Sequence, residues 1–131
     1  MRARFCQLRG FTASRYDRAM HVEVRKAKDV VIVDLSGKLL AGIGDEILRS
    51  VVNELLAEGW KKILLNLSEV TAIDSAGTGE LVASLKISER FGARLKLLNL
   101  HERVRKSLHL SDLLPVFEVY DEERAALRHY A

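Results

Sequence analysis

Short apolar runs with strand character alternate along this chain with segments whose apolar residues recur at the period of an α-helix. The run Val30–Leu35 is rich in β-branched residues, and Lys62–Leu67 is apolar at four of its six positions. Between these runs, the stretch Ile47–Leu56 repeats apolar residues at i, i+1, i+4 and i+5, the pattern of one buried helix face. Strands and helices that alternate with short loops form βαβ crossovers. The chain is therefore predicted to be an α/β domain with a largely parallel sheet.

The remaining elements are predicted from the same two periods. Asp45 is expected to cap the first helix and Gly59 to end it. A loop over residues 68–79 should lead into the second helix. Three acids at 121–123 suit the first turn of a terminal helix, where the helix dipole favours negative charge. In chain order, the other expected strands and helices are a strand at 21–24, helix at 77–91, strand at 94–100, helix at 101–108 and strand at 116–120.

Size and composition restrict the class of protein. The chain has 131 residues, of which 48% are apolar and 30% charged. This length suits one ordinary domain, which can bury a core without disulfides or a structural metal. The one cysteine, Cys6, excludes an internal disulfide and fits a reducing cytoplasm. No apolar run approaches the roughly 18 residues that cross a bilayer, so we expect a cytoplasmic protein without membrane insertion.

The positive charge of the chain is confined to its first residues. The net charge is +3, yet residues 1–19 carry five arginines against one aspartate, and residues 20–131 carry 16 basic and 17 acidic side chains. Direct nucleic-acid binding by the body is therefore not expected. Residues 1–19 are interpreted as a basic extension, either a tail or upstream sequence from a misassigned start before Met20. The folded domain is predicted to span residues 20–131.

Sequence motifs for catalysis and cofactor binding are missing. There is no phosphate-binding G-x-x-x-x-G-K-[ST] loop and no G-x-S-x-G elbow. The four histidines lack metal-ligand spacing, and Gly42-Ile43-Gly44 lacks the third glycine of a dinucleotide site. We therefore expect no enzyme, no cofactor and no metal.

The segment Ile73-Asp74-Ser75-Ala76-Gly77-Thr78-Gly79 stands out, since it joins a buried strand to an apolar helix. Ser75 is expected at or just before the helix N-terminus. One interpretation is that Asp74 or Ser75 simply caps the helix. A second is that Ser75 carries a phosphate, which a helix N-terminus tolerates. A third is a cradle for a ligand phosphate, although no nearby Lys or Arg completes it.

The residues Leu65 to Gly79 resemble the central motif of STAS domains, particularly those of bacterial anti-sigma factor antagonists. The order and spacing of residues 91–127 are similar to that family as well, so the resemblance covers about residues 20–127. It implies a small sheet with helices packed mainly on one face, and no catalytic activity. It also implies a protein partner, an anti-sigma factor that is itself a serine kinase. In the family the phosphorylated residue directly follows the aspartate, which here places it at Ser75.

The resemblance also suggests a surface for this partner. Around the start of the second helix, exposed polar groups should line the contact together with the loop at residues 40–44. The motif glycines Gly77 and Gly79 are expected to set the geometry of the loop. The residues predicted to contact the partner are Asp74, Ser75, Thr78, Glu80, Leu40 and Ile43.

Three departures from the family pattern leave other functions open. Ala76 follows Ser75 where a second Ser or Thr is common, Thr78 replaces a leucine between the glycines, and Leu40 stands where many relatives have an acid. A STAS subunit of a lipid-transport ABC complex, or a stressosome-like scaffold, would use the same fold without phosphorylation.

The protein is also interpreted as a possible homodimer, in which a second subunit would hold residues 1–19.

Overall fold

The computed structural model describes residues 20–130, so the predicted extension at 1–19 and its boundary lie outside the described residues. Within 20–130 the chain forms five strands and four helices, with one short 3-10 turn. In chain order these are β1 (Met20–Ala27), β2 (Val30–Leu39), α1 (Gly44–Ala57), β3 (Lys62–Ile73), α2 (Ser75–Arg90), β4 (Arg94–Leu98), α3 (Glu102–Leu110), the 3-10 turn (Leu114–Val116), β5 (Val119–Tyr120) and α4 (Glu123–Arg128).

The strands form one mixed sheet in which spatial order equals chain order, β1-β2-β3-β4-β5. β1 and β2 form an antiparallel hairpin, whereas β2, β3, β4 and β5 pair in parallel. Each parallel pair is linked through a helix, as βαβ units require. The predicted fold class, an α/β domain with a small and mostly parallel sheet, is confirmed.

The two faces of the sheet are covered unequally. On the front face, apolar side chains of β1 to β4 pack with α1, α2 and α3 in the larger core, which includes Val33, Leu65 and Leu97. On the back face, a smaller cluster forms where Ala126 of α4 and Tyr130 pack on the sheet. The sheet residues of that cluster are Val30, Ile32, Leu64 and Leu98.

The predicted face of α1 is the buried one. Its six predicted apolar residues are all buried against the sheet, and Gly59 follows the helix with a φ of +94°. The role predicted for Asp45 is wrong, because α1 already begins at Gly44 and Ile43 precedes it without a capping side chain. Asp45 instead accepts a hydrogen bond at Oδ1 from the Gly42 N–H at 2.9 Å, which closes the turn before the helix.

The boundaries near the middle of the chain differ from the prediction. Most of the expected loop at 68–79 is structured, since β3 continues to Ile73 and α2 begins at Ser75. β3 extends because β2 also extends to Leu39, and the two strands stay paired across register shifts. The last strand is shorter than expected. Only Val119 and Tyr120 pair with β4. Val116 belongs to the 3-10 turn, and Phe117 and Glu118 connect that turn to the strand.

Candidate functional site

Ser75 lies where β3 gives way to α2. Asp74 has an extended backbone, with φ −117° and ψ −171°, and Ser75 is the first residue of the helix. The Ser75 side chain is exposed to solvent. Side chains at the start of a helix lie beside backbone N–H groups that lack helical partners, so the helix dipole favours a negative group at Ser75.

The carboxylate of Asp74 holds two separate segments together. Its Oδ1 accepts a hydrogen bond from the Gly77 N–H at 2.9 Å, which caps α2. Its Oδ2 accepts another from the Ala41 N–H, also at 2.9 Å, in the loop after β2. These backbone hydrogen bonds, first from Ala41 and then from Gly77, hold the pKa of Asp74 below its ordinary value. Asp74 is therefore ionised and positioned as a structural acceptor, which is its capping interpretation from the sequence.

Gly77 brings α2 against the end of β2. A Cβ at this position would overlap the Leu39 carbonyl oxygen and lie 2.9 Å from Leu39 Cγ. Gly79 differs, because a Cβ there would meet nothing within 4 Å. Both glycines lie within α2 and not in a loop. The close approach at Gly77 fixes the position of Ser75 relative to β2.

The loop between β2 and α1 lies beside the start of α2, as the sequence analysis expected. Ala41 in this loop is hydrogen-bonded to Asp74, so the loop and the motif share one edge of the sheet. Ile43 is 42% exposed, which is unusual for a large apolar side chain. Leu40 is half-buried, and its carbonyl accepts the Asp45 N–H at 3.1 Å.

Two of the predicted contact residues are less accessible than the sequence suggests. Thr78 is 7% exposed and Glu80 is 9% exposed, so the expected exposure of both side chains is wrong. Glu80 turns away from Ser75 toward α1, whereas Thr78 shares the helix face of Ser75 and Gly79 but lies deeper in the groove they line. Glu80 accepts hydrogen bonds from Arg49 of α1 at 3.0 and 3.2 Å, a pairing that the sequence pattern does not reveal.

A surface groove of about 430 Å³ separates the start of α2 from the end of α3. Asp74, Ser75, Thr78 and Gly79 form one side of this groove. Ser107, Ser111 and Leu113 form the other side. These three were missed by sequence reasoning, since their position depends on how α3 packs and no local motif marks them. Ser75 therefore lies at the rim of this groove, which is wide enough to accept a segment of another protein.

The described residues offer little for metal or membrane chemistry. Residues 20–130 contain no cluster of three or more His, Cys, Asp and Glu side chains that could hold a metal ion. Within the same range, every helix is too short or too polar to cross a membrane. The candidate site consists of the exposed Ser75 hydroxyl, the Asp74 carboxylate that caps α2, and the groove beside them.

Comparisons with known proteins agree with this architecture. A Thermotoga neapolitana protein provisionally named an anti-sigma factor antagonist is 38% identical over 77 residues, 59% of this chain and 68% of that protein. The anti-sigma F factor antagonist of Paenibacillus polymyxa is 25% identical over 108 residues, 82% of this chain and 92% of that protein. The crystal structure of a Thermotoga maritima protein provisionally described as an anti-sigma factor antagonist has a TM-score of 0.75 and 30% identity, covering 82% of this chain and 92% of that chain.

The profile of the STAS domain matches residues 21–126. Except for Met20, this range includes all five strands of the sheet, and it contains the Asp74-Ser75 junction. The curated relatives described above carry the name of anti-sigma factor antagonists. The chain therefore belongs to the STAS domain family and resembles its anti-sigma factor antagonists.

Proposed function

We propose that this protein is a cytoplasmic anti-sigma factor antagonist that binds an anti-sigma factor serine kinase and is switched off when Ser75 is phosphorylated. Capture of the kinase would release a sigma factor and so regulate transcription. The protein acts by binding and not by catalysis. The observation that carries the proposal is the position of Ser75, an exposed hydroxyl at the first residue of α2, directly after Asp74.

Accessibility favours Ser75 over its neighbours as the phosphoacceptor. Position 76 is an alanine, and Thr78 is 7% exposed. A kinase must draw the acceptor hydroxyl into its own active site, so an exposed side chain on the rim of a groove is favoured. Asp74 is already held by two backbone N–H groups, so its carboxylate does not need to move when Ser75 is modified.

A phosphate on Ser75 would affect the partner more than the domain itself. Phosphorylation adds a charge of about −1.5 to −2 and three acceptor oxygens. The N-terminus of α2 favours negative charge locally, so the domain should stay folded. A partner that packs closely on this surface would bury the phosphate without a counter-ion, which is costly. A loss of about 2.7 kcal/mol weakens binding a hundredfold, which is sufficient for a switch.

The contact surface is proposed to include Ser75, Asp74 and the loop that Asp74 holds. Ile43 supplies exposed apolar area on this loop, and Leu40 supplies a half-buried neighbour. Thr78 contributes to the groove wall beside Ser75. Glu80 supports the surface from below through its pair with Arg49. Ile43→Asp should weaken kinase binding while the fold survives, and Leu40→Asp should do the same at some cost in stability. Unchanged affinity in both folded variants would remove this loop from the contact surface.

The test compares Ser75→Ala and Ser75→Asp by calorimetry against an anti-sigma factor kinase from the same organism. Ser75→Ala should bind as the wild type does and resist inactivation by ATP. Ser75→Asp should bind at least tenfold more weakly and keep a native circular dichroism spectrum. Ser50→Asp is the matched control, because Ser50 is an exposed helical serine of α1 outside the groove. It should leave the affinity unchanged.

Mass spectrometry of the wild type after incubation with the kinase and ATP completes the test. One phosphate is expected, on Ser75, and none on Ser75→Ala. Suppose instead that Ser75→Asp binds as tightly as the wild type and no phosphate forms. The switch would then be refuted, and a non-phosphorylated role, as a STAS subunit of a lipid-transport ABC complex or a stressosome-like scaffold, would replace it.

A further inference from the structure

The back face of the sheet is divided into a covered half and an open half. The covered half is the apolar cluster beneath α4 and Tyr130. The open half carries polar side chains at the other end of β1, β2 and β3. We call it the polar half of the back face, and its residues are His21, Glu23, Asp34, Ser36, Asn66 and Glu69.

Strand register places these residues in two adjacent rows. Glu23 of β1 lies opposite Asp34 of β2, which in turn lies beside Asn66 of β3. His21, Ser36 and Glu69 form the next row toward the end of the strands. Together they line a shallow groove of about 210 Å³. Within residues 20–130 no helix covers this groove, so it is an unpartnered sheet face.

The polar half has an excess of negative charge that the described residues do not neutralise. Glu23 and Asp34 are directly opposite each other, an arrangement that repels. Asp34 is already paired, since it accepts hydrogen bonds from Arg25 Nε at 2.6 Å, Arg25 Nη2 at 3.2 Å and the Asn66 amide at 2.8 Å. Arg25 also donates to Glu123, and neither Glu23 nor Glu69 accepts a hydrogen bond from it. Glu69 has an exposed side chain, and Glu23 contacts His21 at 3.6 Å, an ion pair only when the histidine is protonated. A further cation would therefore be stabilised here.

The chain itself supplies such cations next to this face. Residues 1–19 contain five arginines and one aspartate and join β1 at Met20, one residue before His21. An extended chain advances about 3.3 Å per residue, so even six of these residues reach roughly 20 Å. Strands lie about 4.8 Å apart, and the polar half is three strands wide. A tether this short gives an effective concentration in the millimolar range, at which weak ion pairs form.

We propose that residues 1–19 dock across the polar half of the back face, with arginines paired to Glu23 and Glu69. Arg15 and Arg18 are the nearest to the junction and make the first of these contacts. A second groove on the back face lies beside α4, between Ala27 and Tyr130. It is unsuitable for a basic segment, because its rim carries Lys28, Arg124 and Arg128. This inference is independent of the proposed role of Ser75.

The single cysteine makes the proposal testable in the full chain. A nitroxide spin label on Cys6 broadens the amide resonances of nuclei close to it in a ¹⁵N-labelled sample. At low ionic strength, broadening is expected at Ser36, Asn66 and Glu69, and not at Asn53 or Glu89 in the helices of the front face. Screening by about 0.5 M salt should reduce the broadening at least twofold, because exposed ion pairs weaken with salt.

Variants that remove charges test whether the broadening arises from ion pairs or only from the short tether to β1. Glu23→Gln with Glu69→Gln, or Arg15→Gln with Arg18→Gln, should reduce the broadening at least twofold. Glu89→Gln with Glu102→Gln is the matched control, since both are exposed acids on the helices of the front face, and it should change nothing. The amide spectra themselves report whether each variant is folded.

Three results would overturn the proposal. One is broadening that is equal in the charge variants and the wild type. Another is broadening that is spread evenly over both faces of the sheet. The third is broadening that appears in a mixture of spin-labelled ¹⁴N protein and unlabelled ¹⁵N protein, because the occupant would then be a second copy of the chain.

Discussion

The carboxylate of Asp74 accepts a hydrogen bond from the Ala41 N–H at 2.9 Å, so the residue before Ser75 is joined to a loop 33 positions earlier in the chain. The same carboxylate accepts the Gly77 N–H and caps α2. One side chain thus positions both the proposed phosphoacceptor and the loop that carries Leu40 and Ile43. Changes at Asp74 should therefore affect stability and partner binding together.

Asp74→Ala removes both hydrogen bonds and should lower the free energy of unfolding by about 1–2 kcal/mol, the usual cost of losing a helix cap. Asp74→Asn keeps an acceptor for Gly77 but places an amide group toward Ala41, so an intermediate loss is expected. Urea unfolding followed by circular dichroism measures both. Stability equal to the wild type in Asp74→Ala would mean that the cap contributes nothing.

Asp74 should also make stability depend on pH. The pKa of its carboxyl is lowered in the folded protein, so the unfolded chain binds a proton more readily. The stabilisation is therefore complete above the unfolded pKa of about 4 and is lost as the pH falls below it. The difference in unfolding free energy between wild type and Asp74→Asn should shrink between about pH 6 and pH 3. If the difference in unfolding free energy stayed constant from pH 6 to pH 3, the lowered pKa of Asp74 would not contribute to stability.

Gly77→Ala and Gly79→Ala form a matched pair within one helix. A methyl group at 77 overlaps the Leu39 backbone, so Gly77→Ala should destabilise the fold by about 1–3 kcal/mol. A methyl group at 79 enters open space, and Gly79→Ala should stabilise the fold by about 0.5–1 kcal/mol. Urea midpoints of the two variants should therefore move in opposite directions. Equal shifts would show that α2 does not pack closely on β2.

Ser84 and Ser88 are buried in α2, at 1% and 0% exposure, and their hydroxyl oxygens lack hydrogen-bond partners among the described residues. Each Ser→Ala change removes an unpaired polar group and improves helix propensity, so a gain of about 1 kcal/mol is expected. Ser50→Ala on the exposed face of α1 is the control and should gain about 0.5 kcal/mol from propensity alone. Thermal unfolding measures the stability of the three variants. A loss of stability in both Ser84→Ala and Ser88→Ala would mean that the two buried hydroxyls do have hydrogen-bond partners.

Deletion of residues 1–19 should leave the domain folded. Every periodic core segment begins at or after Met20, and exposed ion pairs of the kind proposed for the extension contribute little to stability. A loss of about 1 kcal/mol shifts the midpoint of a domain this size by several degrees. Calorimetry should therefore find a midpoint within a few degrees of the full chain. Aggregation of the shortened protein would show that the extension belongs to the core or to an obligate dimer.

Local patterns in the sequence were sufficient for most of the architecture. The stripe on α1 and the apolar runs of β2 and β3 are visible because buried faces repeat with a fixed period. The end of β3 was not predictable in this way, since Ser68 to Ile73 mixes polar and apolar residues and is a strand only because β2 runs alongside it. Pro115 marks a break before the last strand, but the sequence pattern does not show that Val116 belongs to the 3-10 turn and that only Val119 and Tyr120 pair with β4.

The candidate site was predictable only in part, for a related reason. The position of Ser75 at a helix start follows from the residues around it, because Asp74 is a good cap and the apolar strand precedes it. The burial of Thr78 and Glu80 depends on α1 and α3, which are distant in sequence. The Arg49–Glu80 pair and the groove wall at Ser107, Ser111 and Leu113 depend on the same packing, so they cannot be predicted from local motifs.

The identity of strand order and chain order also bears on how the protein is made. As the chain leaves the ribosome, β1 and β2 can close as a hairpin, and every later strand finds its neighbour already in place. The two longest strands, β2 and β3, come early, while the two-residue β5 and α4 come last. No strand has to insert between two others, so the sheet can grow by addition at a single edge during synthesis.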